Sequence, residues 1–408
     1  MRVALLGPDL FAAFHDFARA LAEVGARVVG VGKTPRHRLR AGLSRYLEQW
    51  VEVQDPFNGQ VVAAAVRRAL RGRELDRLET VEERLVVAAA DARLALGLPG
   101  LSPEAARLCR DKARMKAAWR EAGIPCAESA LVRTPKELHA FGERVGFPLV
   151  VKPRAGLGSQ KTFRLENKKD LEIAASLYRL GVGGEAVVEE FIEGHEGFYD
   201  TLTVGGQPAL EFVSHYYPSV LEALSRREIS PQIVATNRLR APGYRELFEV
   251  GRKALQVLGI TTSATHMEWF FGPKGLKVSE IGARPPGERL WDLYCHAHDL
   301  DLYRCWAEAI VFGAVHAKPS CRFATGSVQV RPSCDGRIAR YEGLDAILKK
   351  YGALIFAKEI PPPGRKTVPI EKGYLSNLWL RLKHPDYDTL RAILDEIGRT
   401  VRVLAVPY

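Results

Sequence analysis

The strongest chemical signal in the sequence is a pair of glutamates within residues 265–282, THMEWFFGPKGLKVSEIG. Apolar and polar residues alternate on both sides of residues 273–275 (PKG), which predicts a hairpin whose three-residue turn ends on glycine. That turn places Glu268 opposite Glu280, and both carboxylates leave the same face of the sheet as His266. Facing like charges destabilise a sheet, and a hard cation such as Mg²⁺ removes the repulsion. The hairpin is therefore a candidate metal site.

The alternative is that both glutamates lie on an exposed, solvated sheet face. Two features favour the metal site. Met267, Trp269 and Phe271 alternate with the glutamate, so they are expected to bury the opposite face of the hairpin. Arg284 follows Glu280 at even spacing, which adds a cation close to the same face.

A second signal is Lys152, at the end of the apolar run PLVV and before the glycine-rich residues 155–160 (AGLGSQ). The stretch is not a Walker phosphate loop, because Ala155 and Gln160 occupy the positions where that pattern requires glycine. A lysine at the end of an apolar strand is unfavourable unless an anion meets it, so Lys152 is a site candidate by itself. A flexible hairpin tip is the alternative for the glycines.

Composition narrows the class of protein. The chain has 408 residues, 47% hydrophobic and 26% charged, as in a globular protein of more than one domain. Its net charge of +11 is spread along the chain without a zinc-finger, RNP or basic-helix pattern, so we expect no nucleic-acid partner. The six cysteines form no C-x-x-C pair, which argues against a zinc site. No apolar run is long enough to span a membrane, and the first twenty residues do not have the pattern of a signal peptide, so we expect a cytoplasmic protein without a membrane partner.

The sequence also predicts, in outline, the helices and strands that must position these residues. Strand and helix alternate in the first hundred residues, which predicts a parallel, doubly wound sheet. Its first turn, Gly7-Pro8-Asp9-Leu10, lacks the dinucleotide-binding pattern. The polar segment Pro218–Asn237 is predicted to be a long loop with a short helical piece, and long loops are often functional. From Cys321 onward, short strands and a final helix predict a small α+β domain.

The order of these motifs resembles the ATP-grasp superfamily of carboxylate–amine ligases. The resemblance rests on Lys112 in RDKARMK, Lys152 with its glycine loop, VEEFIEGHE, and the paired-glutamate hairpin that ends EIGARPPG. It covers roughly residues 1–315 and is strongest between Arg110 and Arg289. It implies an α/β and α+β architecture: a Rossmann-like pre-ATP-grasp domain (1–105), a two-lobed ATP-grasp domain (106–318, lid lobe about 125–190) and a C-terminal α+β domain (319–408).

The resemblance also implies an ATP site. Lys112 would contact the α-phosphate and Lys152 the α- and β-phosphates. Glu189 and the Glu190 carbonyl would meet the adenine amino group and the Ile192 N–H a ring nitrogen, with Phe191 or Ile192 as an apolar wall. Glu196 would hold the ribose hydroxyls. The residues that would close over the phosphates are Gly156, Gly158 and Ser159. A solvated acidic edge is the alternative for the glutamates of VEEFIEGHE.

Glu268 and Glu280 match the metal-binding carboxylates of the family, which implies Mg²⁺, with Mn²⁺ as the alternative metal. Many members place an asparagine two residues after the second glutamate as a further ligand, whereas this chain has Gly282. Arg284 matches the arginine that steadies the transferred phosphate, so Arg284 and Lys152 are the expected catalytic residues.

The implied reaction is ATP-dependent activation of a carboxylate as an acyl phosphate, followed by coupling to an amine. EIGARPPGE and residues 214–237 are most similar to the amino-acid or dipeptide ligase branch. Purine-biosynthesis ligases, biotin carboxylases and a non-catalytic ATP-binding scaffold are the alternatives. The expected partners are small carboxylates and amines, and a homodimer is a further expectation. The candidates for substrate recognition are His215, Arg240, His266, Glu288 and Arg289.

Overall fold

A computed structural model describes residues 1–156, 161–369 and 377–408. The N-terminal part contains a parallel sheet with the strand order β3-β2-β1-β4. Its strands are β1 (Arg2–Leu6), β2 (Arg27–Gly32), β3 (Gln49–Glu52) and β4 (Arg77–Glu79), and its helices are α1 (His15–Glu23), α2 (Ala41–Ser44), α3 (Gly59–Leu70), α4 (Val86–Leu96) and α5 (Pro103–Arg110). The parallel arrangement agrees with the alternation of strand and helix in the sequence.

The next part of the chain forms a smaller antiparallel sheet, with the order β5-β8-β6-β7. It is preceded by α6 (Lys112–Glu121), and its elements are β5 (Ser129–Val132), α7 (Pro135–Val145), β6 (Leu149–Lys152), β7 (Phe163–Leu165), α8 (Lys168–Leu177) and β8 (Ala186–Glu190). Leu138, Phe141, Leu149 and Leu171 pack α7 and α8 onto this sheet. The glycine-rich stretch connects β6 and β7, as the sequence predicts; Gly158 and Ser159 lie outside the described residues.

An eight-stranded antiparallel sheet carries the rest of the molecule, with the order β13-β12-β9-β10-β11-β14-β17-β16. Its strands are β9 (His195–Val204), β10 (Gln207–Tyr217), β11 (Gln232–Ala235), β12 (Ser263–Gly272), β13 (Gly275–Gly282), β14 (Ala324–Val330), β16 (Ile355–Glu359) and β17 (Leu378–His384). β15 (Arg337–Glu342) and β18 (Arg402–Val406) pair separately. Strands from both sides of the expected boundary at residue 319 share the large sheet.

Helices cover this sheet on both faces. They are α9 (Val220–Ser225), α10 (Arg245–Val257), α11 (Trp291–His298), α12 (Leu302–Phe312), α13 (Leu344–Tyr351) and α14 (Tyr387–Thr400). Two apolar clusters fill the space on either side, one around Met267, Trp269 and Leu255, the other around Phe198, Phe212 and Tyr294. Among the described residues, no helix is both long and apolar enough to cross a membrane.

Residues 218–237 do not form a long loop. Val220–Ser225 is helical, and Gln232–Ala235 is an interior strand of the large sheet, paired with β10 on one side and β14 on the other. All four residues of β11 are buried. The prediction failed because a four-residue strand between polar segments is too short to show a period.

The hairpin β12–β13 pairs Glu268 with Glu280, as predicted, although its turn differs from the predicted one. Gly272 pairs with Gly275, so the turn has only Pro273 and Lys274 between the strands. This tighter turn alone would place Glu268 opposite Ser279. The register shifts by one residue between Glu268 and Trp269, because β13 carries an extra residue there, and this bulge restores the pairing of the two glutamates.

The face of β12 opposite Glu268 is buried only in part. Met267 is 0% and Trp269 4% exposed, in the cluster with α6 and α10, whereas Phe271 is 56% exposed near the turn. The predicted burial of Phe271 is therefore wrong. The packed residues behind Glu268 hold the strand in the register that presents the carboxylate.

Replacing Met267 with alanine should destabilise the protein by about 2–5 kcal/mol, because the truncation leaves a cavity in a fully buried position. Phe271→Ala is the matched control on the same strand and should change the free energy of unfolding by less than about 0.5 kcal/mol. Differential scanning calorimetry measures both. Equal shifts of the transition temperature in the two variants would contradict the described packing of β12.

Candidate active site

A pocket between the smaller sheet and the large sheet gathers most of the residues predicted to bind a nucleotide. The predicted residues that line it are Lys112, Lys152, Gly156, Glu189, Glu190, Phe191, Ile192, Glu196, Glu268 and Glu280. They come from α6, from β6 and the residues after it, from β8 and β9 with the segment that connects them, and from the β12–β13 hairpin. Folding thus brings sequence motifs that are far apart to one place.

Contacts between the start of α6 and the residues after β6 bring Lys112 and Lys152 close to each other. The Asp111 side chain caps this helix by accepting hydrogen bonds from the N–H groups of Ala113 and Arg114. Arg154, just beyond β6, donates to Asp111 through Nε at 2.8 Å, and its carbonyl accepts from the Lys112 N–H at 3.1 Å. The end of β6 is therefore fixed to the first turn of α6, which places both lysines on one side of the pocket.

The lysines and glutamates of the pocket alternate in space. Lys112 Nζ lies 3.1 Å and Lys152 Nζ 3.7 Å from Glu280 Oε2. Lys152 also lies 3.0 Å from Glu189 Oε2, which in turn lies 2.6 Å from Lys116 Nζ. Each of these three lysines thus has a carboxylate within ion-pair distance, as buried charges require.

Lys116 is a site residue that the sequence reasoning missed. Its side chain is fully buried, and burial, partly offset by Glu189, lowers its pKa to about 8. A signal was available, because Lys116 lies four residues after Lys112 and the two share a helix face. Lys116 and Lys152 together outweigh the effect of burial on Glu189 and lower the pKa of that carboxyl.

The two facing carboxylates differ in their surroundings. Burial raises the pKa of Glu268, and the neighbouring Glu280 charge raises it further. Burial acts on Glu280 in the same direction, but Lys112 and Lys152 outweigh it and lower its pKa to about 2. Glu280 is therefore ionised beside two lysines, and repulsion acts on Glu268, which has no ion-pair partner within the described part of the chain.

Glu196 lines the same pocket from the start of β9 and is 5% exposed. Burial and the charge of Glu268 raise its pKa to about 8. The backbone N–H of Val220, in the first turn of α9, donates to Glu196 Oε2 at 2.7 Å. Ser219, Val220 and Leu221 also line the pocket, and no pattern in the sequence pointed to them.

Apolar and aromatic groups form the remaining walls. Phe270 lines the pocket two residues after Glu268, where strand alternation could have predicted it. The Arg164 guanidinium lies 4.1 Å from the centre of the Phe191 ring, a cation–π contact that holds this ring in place. Glu190 Oε2 lies 3.6 Å from Nζ of Lys274 in the hairpin turn, and this ion pair connects the two sheets across the pocket.

Arg284 follows β13 and is anchored by a residue of the N-terminal part. Its Nε donates to Glu83 Oε2 at 2.5 Å, and its Nη1 donates to the Pro285 carbonyl at 2.8 Å. Burial lowers the pKa of Arg284, but Glu83, and to a smaller extent Asp200 and Glu268, outweigh burial and raise it. Glu83 was not predicted, because nothing in its local sequence marks it.

Among the substrate candidates, His266 is the one whose side chain shares the strand face of the paired glutamates, Glu268 and Glu280. Its Nδ1 lies 2.7 Å from Asp200 Oδ1, and Tyr294 donates to the other oxygen of Asp200 at 2.6 Å. Asp200 is 1% exposed. It was missed, although an aspartate in a strand whose residues are nearly all buried needs polar partners.

The structure does not bring the other four candidates into the pocket. His215 contacts Trp269, on the face opposite Glu268, and its Nε2 lies 2.7 Å from the Tyr244 hydroxyl. Arg240 is exposed beyond β11. Arg289 pairs with Asp16 at 2.7 Å and with Asp292 at 2.8 Å. Glu288 is exposed and its carbonyl accepts from Arg381 at 2.7 Å.

The ATP-grasp domain family matches residues 117–296. Among curated proteins, the chain is 27% identical over 241 residues to an L-arginine-specific L-amino acid ligase of Bacillus subtilis, covering 58% of this chain and 57% of that protein. It is 27% identical over 216 residues to an alanine–anticapsin ligase of B. subtilis, covering 48% of this chain and 45% of that protein. The chain thus spans about half the length of these relatives.

Two solved structures share the fold along nearly the whole chain. An L-amino acid ligase from Bacillus licheniformis superposes with a TM-score of 0.77 at 18% identity, covering 99% of this chain and 98% of that one. An N5-carboxyaminoimidazole ribonucleotide synthetase from Thermotoga maritima gives a TM-score of 0.72 at 18% identity, with 99% of each chain covered. The predicted fold class is confirmed.

The raised pKa of Glu196 predicts a pH-dependent stability of the ligand-free protein. The unfolded chain loses this proton near pH 4.5, whereas the folded protein keeps it to about pH 8, so the folded state binds more protons in between and stability falls as the pH rises. In Glu196→Gln, which retains an acceptor for Val220, this fall should be smaller.

Calorimetry with a metal chelator measures the difference in transition temperature between wild type and variant across this range. Glu193→Gln, at an exposed position in the same segment, is the control and should parallel the wild type. If the curves for Glu196→Gln and wild type are parallel, Glu196 is ionised in the folded protein between pH 4.5 and about pH 8, and its pKa is not raised.

Proposed function

We propose, from the match of residues 117–296 to the ATP-grasp domain family, that this chain is an ATP- and Mg²⁺-dependent ligase that joins a carboxylate to an amine and releases ADP and phosphate. The observation that carries the proposal is the pocket in which Glu268 and Glu280 face two buried lysines. Carboxylate oxygens suit a hard cation and lysines suit phosphate oxygens, so the pocket has groups for both parts of a metal–nucleotide complex.

The donor set fits Mg²⁺. Among the described residues, no group of three or more His, Cys, Asp or Glu side chains could enclose a metal ion. A pair of glutamates is consistent with a metal that keeps water and phosphate oxygens as its other ligands, which is the usual coordination of Mg²⁺. Glu268 and Glu280 would hold the ion, which neutralises charge on the phosphates when bound. Mn²⁺ takes similar ligands and is the alternative.

The nucleotide contacts follow from the pocket walls. Lys112 and Lys152, now paired with Glu280, would bind phosphate oxygens. Glu189 Oε1 is buried without a hydrogen-bond partner in the described residues, and the adenine amino group would supply the missing donor. Phe191 and Ile192 would face the base, with the Glu190 carbonyl and the Ile192 N–H at its edge, and Glu196 would bind the ribose.

In the proposed reaction, the substrate carboxylate attacks the γ-phosphate and ADP leaves. Lys152 and Arg284 would stabilise the charge on the transferring phosphate. Gly156 would help to exclude water from the acyl phosphate until an amine displaces phosphate from it. No side chain needs to act as a nucleophile, and the amine loses a proton to complete the amide bond.

An amino acid is the proposed carboxylate substrate. This step rests on the names of the curated relatives, an L-amino acid ligase and an alanine–anticapsin ligase, together with the EIGARPPGE segment. A small amine, such as the amino group of a second amino acid, is the proposed acceptor.

A non-catalytic ATP-binding protein is the second candidate, and Gly282 is the observation that favours it. In this structure a Cβ at residue 282 would lie 2.7 Å from Glu83 Oε2, so the space for a side-chain ligand is occupied. A protein of this kind would bind ATP without turnover.

Phosphate release measured over a panel of amino acids, singly and in pairs, separates these candidates. We expect the wild type to release phosphate with at least one pair, and Glu280→Gln to lose about 100-fold or more of that rate, because the variant lacks one of the two metal-binding carboxylates. Glu193→Gln should retain full activity. ATP binding by the wild type without turnover on any pair would favour the non-catalytic protein.

Lys152→Ala should weaken binding of a non-hydrolysable ATP analogue by about 10–100-fold, because a buried charge-assisted contact to phosphate is lost. Lys168→Ala, at an exposed position on α8, is the control and should bind normally. Isothermal titration calorimetry with Mg²⁺ provides the dissociation constants. Equal affinities for the two variants would remove Lys152 from the nucleotide site.

A further inference from the structure

Glu83 connects the N-terminal sheet to the residue that is expected to stabilise phosphate transfer. It begins a short 3₁₀ helix, Glu83–Leu85, soon after β4. It is only 8% exposed, although Arg284, its partner, lies 201 residues further along the chain. The contact therefore exists only when the N-terminal part is docked against the β12–β13 hairpin.

Both oxygens of Glu83 are engaged. Oε2 accepts from Arg284 Nε at 2.5 Å and Oε1 accepts from Arg110 Nη1 at 2.6 Å. Arg110 Nη1 also lies 3.4 Å from the carbonyl of Gly156, at the start of the glycine-rich stretch. One carboxylate thus fixes the guanidinium that follows the metal-binding hairpin and an arginine that reaches the predicted phosphate loop.

The contacts of Arg284 leave one end of its guanidinium for a ligand. Nε is bound by Glu83 and Nη1 by the Pro285 carbonyl. In the described part of the chain, Nη2 has no hydrogen-bond partner. A planar guanidinium fixed at two nitrogens has a defined orientation, so the direction of the remaining donor is set by Glu83.

Gly282 completes this arrangement. A Cβ at that position would meet Glu83 Oε2 at 2.7 Å and Arg284 Nε at 3.5 Å. The absence of a side chain at residue 282 is therefore what lets Glu83 reach Arg284.

We propose that Glu83 is a positioning residue for the ligase reaction: it orients Arg284 for the transferring phosphate, and Gly282 is required for that contact. The inference rests on the proposed function for its catalytic consequence. The restraint on Arg284 is a separate property that can be measured without turnover. Because Arg284 acts on charge that develops during transfer, loss of Glu83 lowers kcat and leaves nucleotide affinity nearly unchanged.

The main variant is Glu83→Gln, which keeps the shape of the side chain but turns a donor toward one of the two arginines. Glu79→Gln is a closely matched control. Glu79 is 7% exposed in the same N-terminal sheet and also pairs with two arginines, Arg77 at 3.4 Å and Arg93 at 3.3 Å, away from the pocket. Both variants lose a buried charge, and only one of them contacts Arg284.

We expect Glu83→Gln to lower kcat by about 10–100-fold, because small misplacements of a catalytic group have effects of this size. The dissociation constant of the ATP analogue should stay within about twofold of wild type. Glu79→Gln should leave both values unchanged. A Glu83→Gln variant with the kcat of an active wild type would overturn the inference while leaving the proposed function intact.

Gly282→Ala tests the same contact without removing a charge. It should lower kcat to a similar extent, and combining it with Glu83→Gln should produce little further loss, because both changes disrupt one interaction. Additive effects of the two changes would show that they act independently and would refute the shared role.

The orientation itself can be observed by NMR of protein labelled with ¹⁵N at arginine side chains. The Nε–H signal of Arg284, assigned with Arg284→Lys, should be protected from solvent exchange in wild type and in Glu79→Gln and should weaken or vanish in Glu83→Gln. An unchanged signal in Glu83→Gln would overturn the inference whatever the activity of the protein.

Discussion

Two carboxylates that face each other in a partly enclosed pocket constrain the rest of this structure. Glu268 and Glu280 repel each other, and burial strengthens that repulsion. The repulsion is tolerable because Lys112 and Lys152 approach Glu280, and because Glu189 and Lys116 continue the alternation of charge behind them. The elements that carry these residues must therefore meet in one geometry.

The facing of the two glutamates could be predicted because it depends on a local property, the alternation of side chains along a strand. The length of the turn could not be predicted in the same way. The chain uses a shorter turn and compensates with a bulge near Ser279, so the correct pairing was reached through an incorrect turn. Alternation determines which face a residue takes, whereas turn length and bulges depend on the packing of the whole sheet.

Other parts of the site lie beyond what local patterns can show. Lys152, Glu189 and Glu196 stand in recognisable segments, but Glu83 and Val220 reach the site through contacts between distant parts of the chain. β11 is buried because strands on both sides pair with it, and one of these, β14, comes about 90 residues later. His215 and Arg289 have polar side chains whose partners lie away from the pocket. Polarity alone does not distinguish a structural contact from a ligand contact.

The alternating charges also explain how the proposed site could accept a polyanion while its buried lysines stay paired. In the structure, Lys112 and Lys152 are neutralised by carboxylates, so their desolvation is already compensated by ion pairs. In the proposed complex, the lysines would exchange Glu280 for phosphate oxygens, and the freed carboxylate would be available to the cation that accompanies the phosphates. Each lysine would then have an anionic partner before and after the exchange, and Glu189 would hold Lys152 in place during it. In a pocket with lysines alone, the ammonium groups would repel one another. In a pocket with glutamates alone, the carboxylates would repel the phosphates of a nucleotide.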